Sequence, residues 1–473
     1  MPNEDLTQLS VANLAPLIQS GGISPVEVAK AFISRIDALE PRLNAFITRM
    51  DDAALREARE AEKEILRGRY IGPFHGIPFG LKDLFWTNNT RTTSGSLIDS
   101  EFIPKEDSAV ASRMKAAGAY CIGKLHMTEF AFDGTSLNCH YGPAHNPWDI
   151  SRMAGGSSSG PGVAVASGQT PIAIGTDTGG SVRVPSALCG ITGLKPTFGL
   201  ISRYGSTPLS WSMDHVGPMT RTVEDAALAL NMLAGYDARD PGSVNITPQD
   251  YLSELRMDVQ GVRIGVPQEF IFDVMDVGVE QSFRIAMAHM ESLGSHIRDI
   301  SIPDLALINA AGSIVQTAEA AMIHRSRVLD MGRYFDPVIR KRIESGLFIS
   351  TEAYLHAQEV RRELKEVLLA VLETVDIIAT PTTAIVAPPL ERELVNIQGQ
   401  DVPIREALLR ITRLFSTVGL PAISIPCGFT EERIPIGLQL VGKPFSESFL
   451  LRVAQNYQES TNWHMQRPAL DSD

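Results

Sequence analysis

Cysteine is scarce in this chain and basic residues are outnumbered, and each shortage removes a class of function. Four cysteines (Cys121, Cys139, Cys189 and Cys427) are scattered over 473 residues without CxxC spacing. Neither a disulfide framework nor a thiolate zinc site is therefore expected, and the thiols read as reduced and mostly buried. Lysine and arginine total 42 against 55 acidic residues, a formal charge of -13. With no Lys/Arg cluster set against that balance, no nucleic-acid partner is expected. No uninterrupted apolar run approaches the ~20 residues of a membrane helix. The first ten residues, MPNEDLTQLS, carry neither the basic nor the apolar region of a secretory signal. The expectation is a cytoplasmic protein with no membrane contact.

What is present describes a large globular chain, 44% hydrophobic and 21% charged. Residues 1–70 read as helical. Ser24 and Glu27 make a capping box with Pro25 at the first helical position, and Val28, Phe32, Ile36 and Leu39 line one face before Pro41 closes the helix. Residues 51–67 form a charged helix with a thin stripe of Ala54, Ala58, Ala61 and Ile65, stopped by Gly68. Asp107 caps a helix through Ala117, followed by a strand over 119–122. Thr222 caps another that ends before Gly235. The segment 237–370 reads as mainly helical after a strand at 262–266, and 371–473 returns to strands at 376–379, 422–425 and 436–441 with a last helix from about 446 to 459. Strand text at both ends, with neither end closing a unit alone, predicts one large α/β domain over 1–473: a mixed β-sheet covered by helices on both faces.

The chemistry concentrates in two turns. AGGSSSGPGVAVASGQTPIAIGTDTGGSVR, residues 154–183, places Gly155–Gly160 before a small apolar helix and Thr176–Ser181 after an apolar strand. Backbone N–H groups at such element ends lack internal partners and can hold an anion. Upstream, IGPFHGIPFGLKDLFW contains one lysine in an apolar strand, with Ile77, Phe79 and Leu81 on one face and Pro78, Gly80 and Lys82 on the other. Lysines are ordinarily solvated, but a desolvated one loses its charge and becomes a base.

Three readings compete. G-x-S-x-G at 156–160 fits a nucleophile elbow centred on Ser158, but the text before it reads as a polar loop where that motif needs a strand. A phosphate loop lacks its Lys-Ser/Thr. Serine chemistry with a lysine base needs a buried lysine, a nucleophilic serine and oxyanion donors, which Lys82, the Ser157 cluster and Thr178–Ser181 can supply. His140 and His145 have no third ligand at a recognised spacing, so no metal and no cofactor are expected.

GGSSSG at 155–160, GTDTGGSVRVPSALCGITGLKPT at 175–197 and GIPFGLKD at 76–83 together resemble the hallmarks of the amidase signature family. RLNAF at 42–46, GKLHMTEFAF at 123–132 and GLPAISIPCGF at 419–429 extend the similarity over nearly the whole chain. The resemblance implies Ser181 as nucleophile, Ser157 as a bridging serine on a cis Gly156–Ser157 peptide, and Lys82 as base. It also implies an acyl-enzyme, with Thr178, Gly179, Gly180 and Ser181 N–H groups as the oxyanion hole. Ala131 falls where relatives line the pocket, and Asp177, Arg183 and Ser158 read as supports of the turns.

The expected reaction is hydrolysis of the C–N bond of a small-molecule carboxylic amide, with aryl amides, carbamates and ureides all open. The alternative within the resemblance is the amidotransferase A subunit, which passes ammonia to a partner and works on charged tRNA. Val184, where that protein usually carries glutamine, and the lack of its aspartate in Arg410–Thr417 (RITRLFST) speak against it. A non-catalytic scaffold is the third option, disfavoured by the intact Lys82, Ser157 and Ser181. Ile314, Val315, Ala318, Glu319, Ala321 and Met322 in the middle helices point to a neutral or aromatic amide over a charged diacid. A homodimer is the default for an enzyme of this size.

Overall fold

The computed structural model describes residues 5–247 and 249–470. The outermost residues of the expected 1–473 domain, and position 248, lie outside the described residues. Capping shapes the N-terminal region as its residues dictate. Ser24 Oγ accepts from the Glu27 N–H, Glu27 returns the bond to the Ser24 N–H, and helix Pro25–Leu43 buries Val28, Phe32, Ile36 and Leu39. Pro41 does not close it. The helix runs on to Leu43 with Pro41 in its last turn, and Asn44 ends it in the left-handed region at φ 52°. In the next capped helix, Ala109–Ala116, Ser108 is the N-cap, because Asp107 is held by Lys115 at 2.9 Å.

The strands are β1 (Phe46–Arg49), β2 (Pro78–Lys82) and β3 (Tyr120–Leu125), a hairpin of β4 (His145–Asn146) with β5 (Asp149–Met153), then β6 (Ile172–Asp177), β7 (Thr192–Lys195) and β8 (His215–Thr220). The C-terminal half adds β9 (Arg263–Pro267), β10 (His296–Ile300), β11 (Ile377–Pro381), a second hairpin of β12 (Leu394–Ile397) with β13 (Gln400–Pro403), and β14 (Ala422–Phe429) with β15 (Pro435–Val441). Eleven of them form one mixed sheet in the order β1-β3-β2-β6-β8-β7-β14-β15-β11-β9-β10. β3, β2 and β6 run parallel, as do β11, β9 and β10, and antiparallel pairs join the two groups. Helices flank this sheet: Arg183–Cys189 packs on β7, β14 and β15, and Glu447–Glu459 on β14. The α/β architecture is that expected from the residues.

Residues 1–70 are not wholly helical, because Phe46–Arg49 adds an antiparallel edge strand beside β3. Nor is the text before Gly155 a plain polar loop, since β5 lies there, paired with β4 and bridged at Arg152 to Pro389. One described helical span, Leu305–Tyr334, which contains helix Leu305–Met331, is long and apolar enough by length and composition to cross a membrane. It packs instead against helices Pro337–Gly346, Thr351–Thr374 and Thr412–Thr417. Its buried Glu319 is bonded to the Ser210 and Ser212 hydroxyls and to Tyr354.

Candidate active site

Lys82 ends β2, which lies between β3 and β6. The strand has no room for a larger residue at Gly80, where a Cβ would stand 2.5 Å from Leu125 Cδ1. The lysine is fully buried, with Nζ 2.7 Å from Ser157 Oγ and 2.8 Å from Thr176 Oγ1. Burial pulls its pKa down to about 7, with the nearby charges of Asp214 and Asp177 offsetting only part of the shift. Nζ donates to both hydroxyls, and on losing its proton it gains a lone pair able to accept from Ser157. The neighbouring buried Lys124 is built differently. Asp83 stands 3.2 Å from its Nζ, and Phe85 O and Thr92 Oγ1 accept from it, so it has a counter-charge in contact that Lys82 lacks.

Ser157 sits on the first turn, and the Gly156–Ser157 peptide is cis. Only glycine fits at 156, since a Cβ would meet Thr135 O at 1.8 Å. Ser158 is not available as an elbow nucleophile. It is fully buried, and its hydroxyl donates to Thr176 O at 3.1 Å and accepts from the Thr176 N–H at 3.3 Å, lacing helix Ser159–Ala166 to β6.

The second turn, Thr178–Ser181, connects β6 to helix Arg183–Cys189. The N–H groups of Thr178, Gly179, Gly180 and Ser181 donate to no described residue. Their carbonyls are turned to other tasks: Gly179 O accepts from Thr412 Oγ1 at 2.8 Å and Gly180 O from the Val184 N–H at 2.7 Å. Gly180 has φ 139° and a Cβ there would lie 2.1 Å from Thr412 Oγ1. Thr178 Oγ1 donates at 2.6 Å to Asp214, itself fixed by the Leu209 and Ser210 N–H groups. The two turns meet directly where the Ser158 N–H donates to Ser181 O at 3.3 Å. No hydrogen bond joins the Ser157 and Ser181 hydroxyls among the described residues.

Beneath the second turn, Asp177 and Arg183 form a buried two-bond pair, Nε to Oδ2 at 2.9 Å and Nη2 to Oδ1 at 2.8 Å. Burial pushes the Asp177 carboxyl up, but the charge and hydrogen bonds of Arg183, with Lys195 and His215, reverse that and hold it below the usual carboxylate range. Arg183 reaches on to Gln439 Oε1 at 2.6 Å, and Ser416 Oγ bonds Asp177 Oδ1 at 2.8 Å, so C-terminal residues lock the turn.

Ala131 has φ 61° and lines a small cavity with Thr176, Thr178, Asp214 and His215. Lys82, Ser157, Ser158, Asp177, Thr178, Gly179, Gly180, Ser181 and Arg183 are thus gathered at one place, with Ala131 at its edge. His140 and His145 lie elsewhere: His140 Nε2 is 3.0 Å from Glu129 and His145 Nδ1 is 2.7 Å from Ile150 O.

Of the middle-helix wall, Ala318, Glu319, Ala321 and Met322 line a pocket with Trp211 and Tyr354. Met322 is 67% exposed, Val315 and Ala321 are buried, and Glu319 is held by Ser210, Ser212 and Tyr354. Asp214 and Thr412, which touch the second turn, carry no motif signal of their own, whereas Thr176, which touches Lys82, lies inside the GTDTGGS motif. RITRLFST at 410–417 was the one text that could have pointed to Thr412, by its place before the GLPAISIP segment.

The arrangement of a buried amine, a serine on each of two turns and a row of free N–H donors has the parts for acyl transfer. A family model described as Amidase matches residues 27–451, and the chain belongs to that family. Among curated relatives, the A subunit of the Chloroflexus aurantiacus glutamyl-tRNA(Gln) amidotransferase is 39% identical, over 98% of this chain and 99% of its own. Among solved structures, one described as revealing the origins of an s-triazine catabolic enzyme in a vestigial protein complex superposes with a TM-score of 0.93. It is 34% identical and covers 96% of this chain and 98% of its own. Another, described as an amidase, has a TM-score of 0.87 at 31% identity and covers 96% of this chain and 99% of its own.

Proposed function

We propose that this chain cleaves the C–N bond of a carboxylic amide through an acyl-enzyme on Ser181. The observation that carries the reading is the fully buried Lys82 amine 2.7 Å from Ser157 Oγ, beside a turn whose N–H groups have no described partner. Neutral Lys82 takes the Ser157 proton as Ser157 takes that of Ser181, and the Ser181 oxygen bonds to the substrate carbonyl carbon. The oxygen that gains the charge is held by the N–H groups of Thr178 to Ser181, each such donor being worth roughly 3–4 kcal/mol of barrier. The relay returns its proton to the departing nitrogen as the C–N bond breaks. Water then attacks the ester by the same route and frees the acid.

The fate of the nitrogen separates two readings. Free hydrolysis of a small-molecule amide is supported by the similarity to a solved amidase and by Val184 and RITRLFST. Transfer of ammonia within an assembly is favoured by the curated relatives, named as amidotransferase subunits at 36–39% identity, and brings partner proteins and tRNA back as candidates. A fluorophosphonate probe on the purified chain should label Ser181, and ammonia release should be measured with the chain alone and with candidate partner subunits. Labelling with release by the chain alone supports the hydrolase. Release only with added subunits supports the amidotransferase, and absent labelling overturns both.

A further inference from the structure

The Thr178–Ser181 turn has a cationic neighbour that this mechanism leaves without a task. Arg413, on helix Thr412–Thr417, is buried, and its Nε lies 3.7 Å from where a Cβ on Gly179 would stand. The guanidinium is anchored at one end only, where Nη1 donates to Asn309 Oδ1 at 2.9 Å and lies 3.8 Å from Glu406 Oε2. Nε and Nη2, the two donors of the other edge, are buried with no hydrogen-bond partner among the described residues.

In several other arginines of the molecule that edge takes a carboxylate, whereas Arg361 and Arg452 set it on backbone carbonyls. Arg183 sets Nε and Nη2 on Asp177, Arg203 on Asp240, Arg239 on Asp237 and Arg263 on Asp376, one carboxylate to each fork. The planar guanidinium fork matches the two oxygens of a carboxylate, which makes these the strong charge-assisted bonds of a protein. Arg413 presents the same fork, with no hydrogen-bond partner among the described residues, beside the turn that would hold a substrate carbonyl. Leaving buried donors unpaired costs free energy that a ligand carboxylate would return. The surroundings add positive charge: Arg342 and Arg405 share Asp133 at 3.1 and 3.8 Å, and Arg405 Nε is likewise buried without a bond. Glu406 is the carboxylate closest to Arg413 and sits at its occupied end.

We infer that Arg413 is a substrate-binding residue and that the substrate is a short amide bearing a carboxylate, which docks on the Nε/Nη2 edge while its scissile carbonyl sits in the Thr178–Ser181 turn. This rests on the amide-cleavage reading above and reverses the neutral or aromatic amide expected from the middle helices.

The test compares pairs that differ only in the charged end: succinamate against butyramide, and glutaramate against valeramide, with the full chain. The carboxylate-bearing partner should be favoured in kcat/KM by at least about 100-fold, since a site built to bond a polar group rejects the analogue lacking it. Arg413→Met should bring that ratio to within a few-fold of one. Arg413→Lys, keeping the charge but losing the fork, should retain only part of it. A wild-type ratio near one, or a ratio unchanged in Arg413→Met, would overturn the inference. Should Arg413→Met fail to fold, the wild-type ratio and Arg413→Lys decide. So does protection of Ser181 from an uncharged fluorophosphonate, which succinate or glutarate should give and butyramide should not. Absent labelling in the wild type means that the amide-cleavage reading has failed. Labelling without any preference for a carboxylate means that this inference alone has failed.

Discussion

At the scale of single residues, the proposed relay depends on a lysine whose amine loses its charge as pH rises through about 7. Its pKa of about 7 is set mainly by burial, and a protonated amine has no lone pair to accept the Ser157 proton. Activity should therefore fall as pH drops, approaching about tenfold per unit well below pH 7. A kcat/KM profile flat from pH 5 to 7 would remove Lys82 from the role of base. Lys82→Ala and Ser181→Ala should each lower kcat by about 10⁴-fold or more, as when one member of a relay acting as a unit is lost. Circular dichroism should show the fold intact in both. Asp177 makes a different claim, on stability. Asp177→Asn leaves the Arg183 guanidinium buried beside a neutral amide, and removing one partner of such a pair typically costs about 3–5 kcal/mol. Urea unfolding measures it. Because the Asp177 carboxyl is held below its ordinary pKa, the stability it provides is fully present above pH ~4 and lost only as pH falls through the lowered value.

At the scale of elements, the second turn is shaped by what presses on it. Gly180→Ala would place a methyl 2.1 Å from Thr412 Oγ1, in a backbone region that side chains rarely adopt. Thr412 also holds Gly179 O. The substitution should lower kcat by about 100-fold, through displaced oxyanion donors, and should also lower the unfolding midpoint, because the clash and the positive φ both strain the folded state. Shortening the neighbour in Gly180→Ala/Thr412→Ser should not restore the rate, because Ser Oγ occupies the same space. The sequence made this turn, the capping box of Ser24 and Glu27, and the burial of Lys82 readable, because each is local: a few adjacent residues carry the signal. It did not reveal β7 and β8. Thr192–Lys195 and His215–Thr220 hold glycine or proline within four to six residues, and only pairing with β6 and β14 makes strands of them. Asp107 misled for a related reason, since its lysine partner lies eight residues away and the cap passed to Ser108. Arg413 was invisible because a guanidinium edge left without a partner among the described residues is a property of three dimensions.

At the scale of the molecule, the candidate site is not contained in the stretch that carries its motifs. Lys82, Ser157 and Ser181 all lie before residue 237, in strands and turns of one half of the sheet. That half ends at β7, and the ladder continues through β14, β15 and β11, with Ala422 paired to Lys195. β7 alone would be an open edge, its backbone donors and acceptors available to other chains. The C-terminal half also reaches the site itself: Thr412 holds Gly179 O, Ser416 bonds Asp177, and Gln439 takes one Arg183 nitrogen. A fragment of residues 1–236 should therefore fail as an independent domain, although it holds every motif of the relay. It is expected to aggregate or to lack a cooperative unfolding transition, and Ser181 in it should resist fluorophosphonate labelling. Adding a co-expressed fragment of residues 237–473 should restore both. A soluble 1–236 fragment that unfolds cooperatively and is labelled like the whole chain would show that the two halves are separate units, and that the C-terminal contacts to Asp177, Gly179 and Arg183 do not build the site.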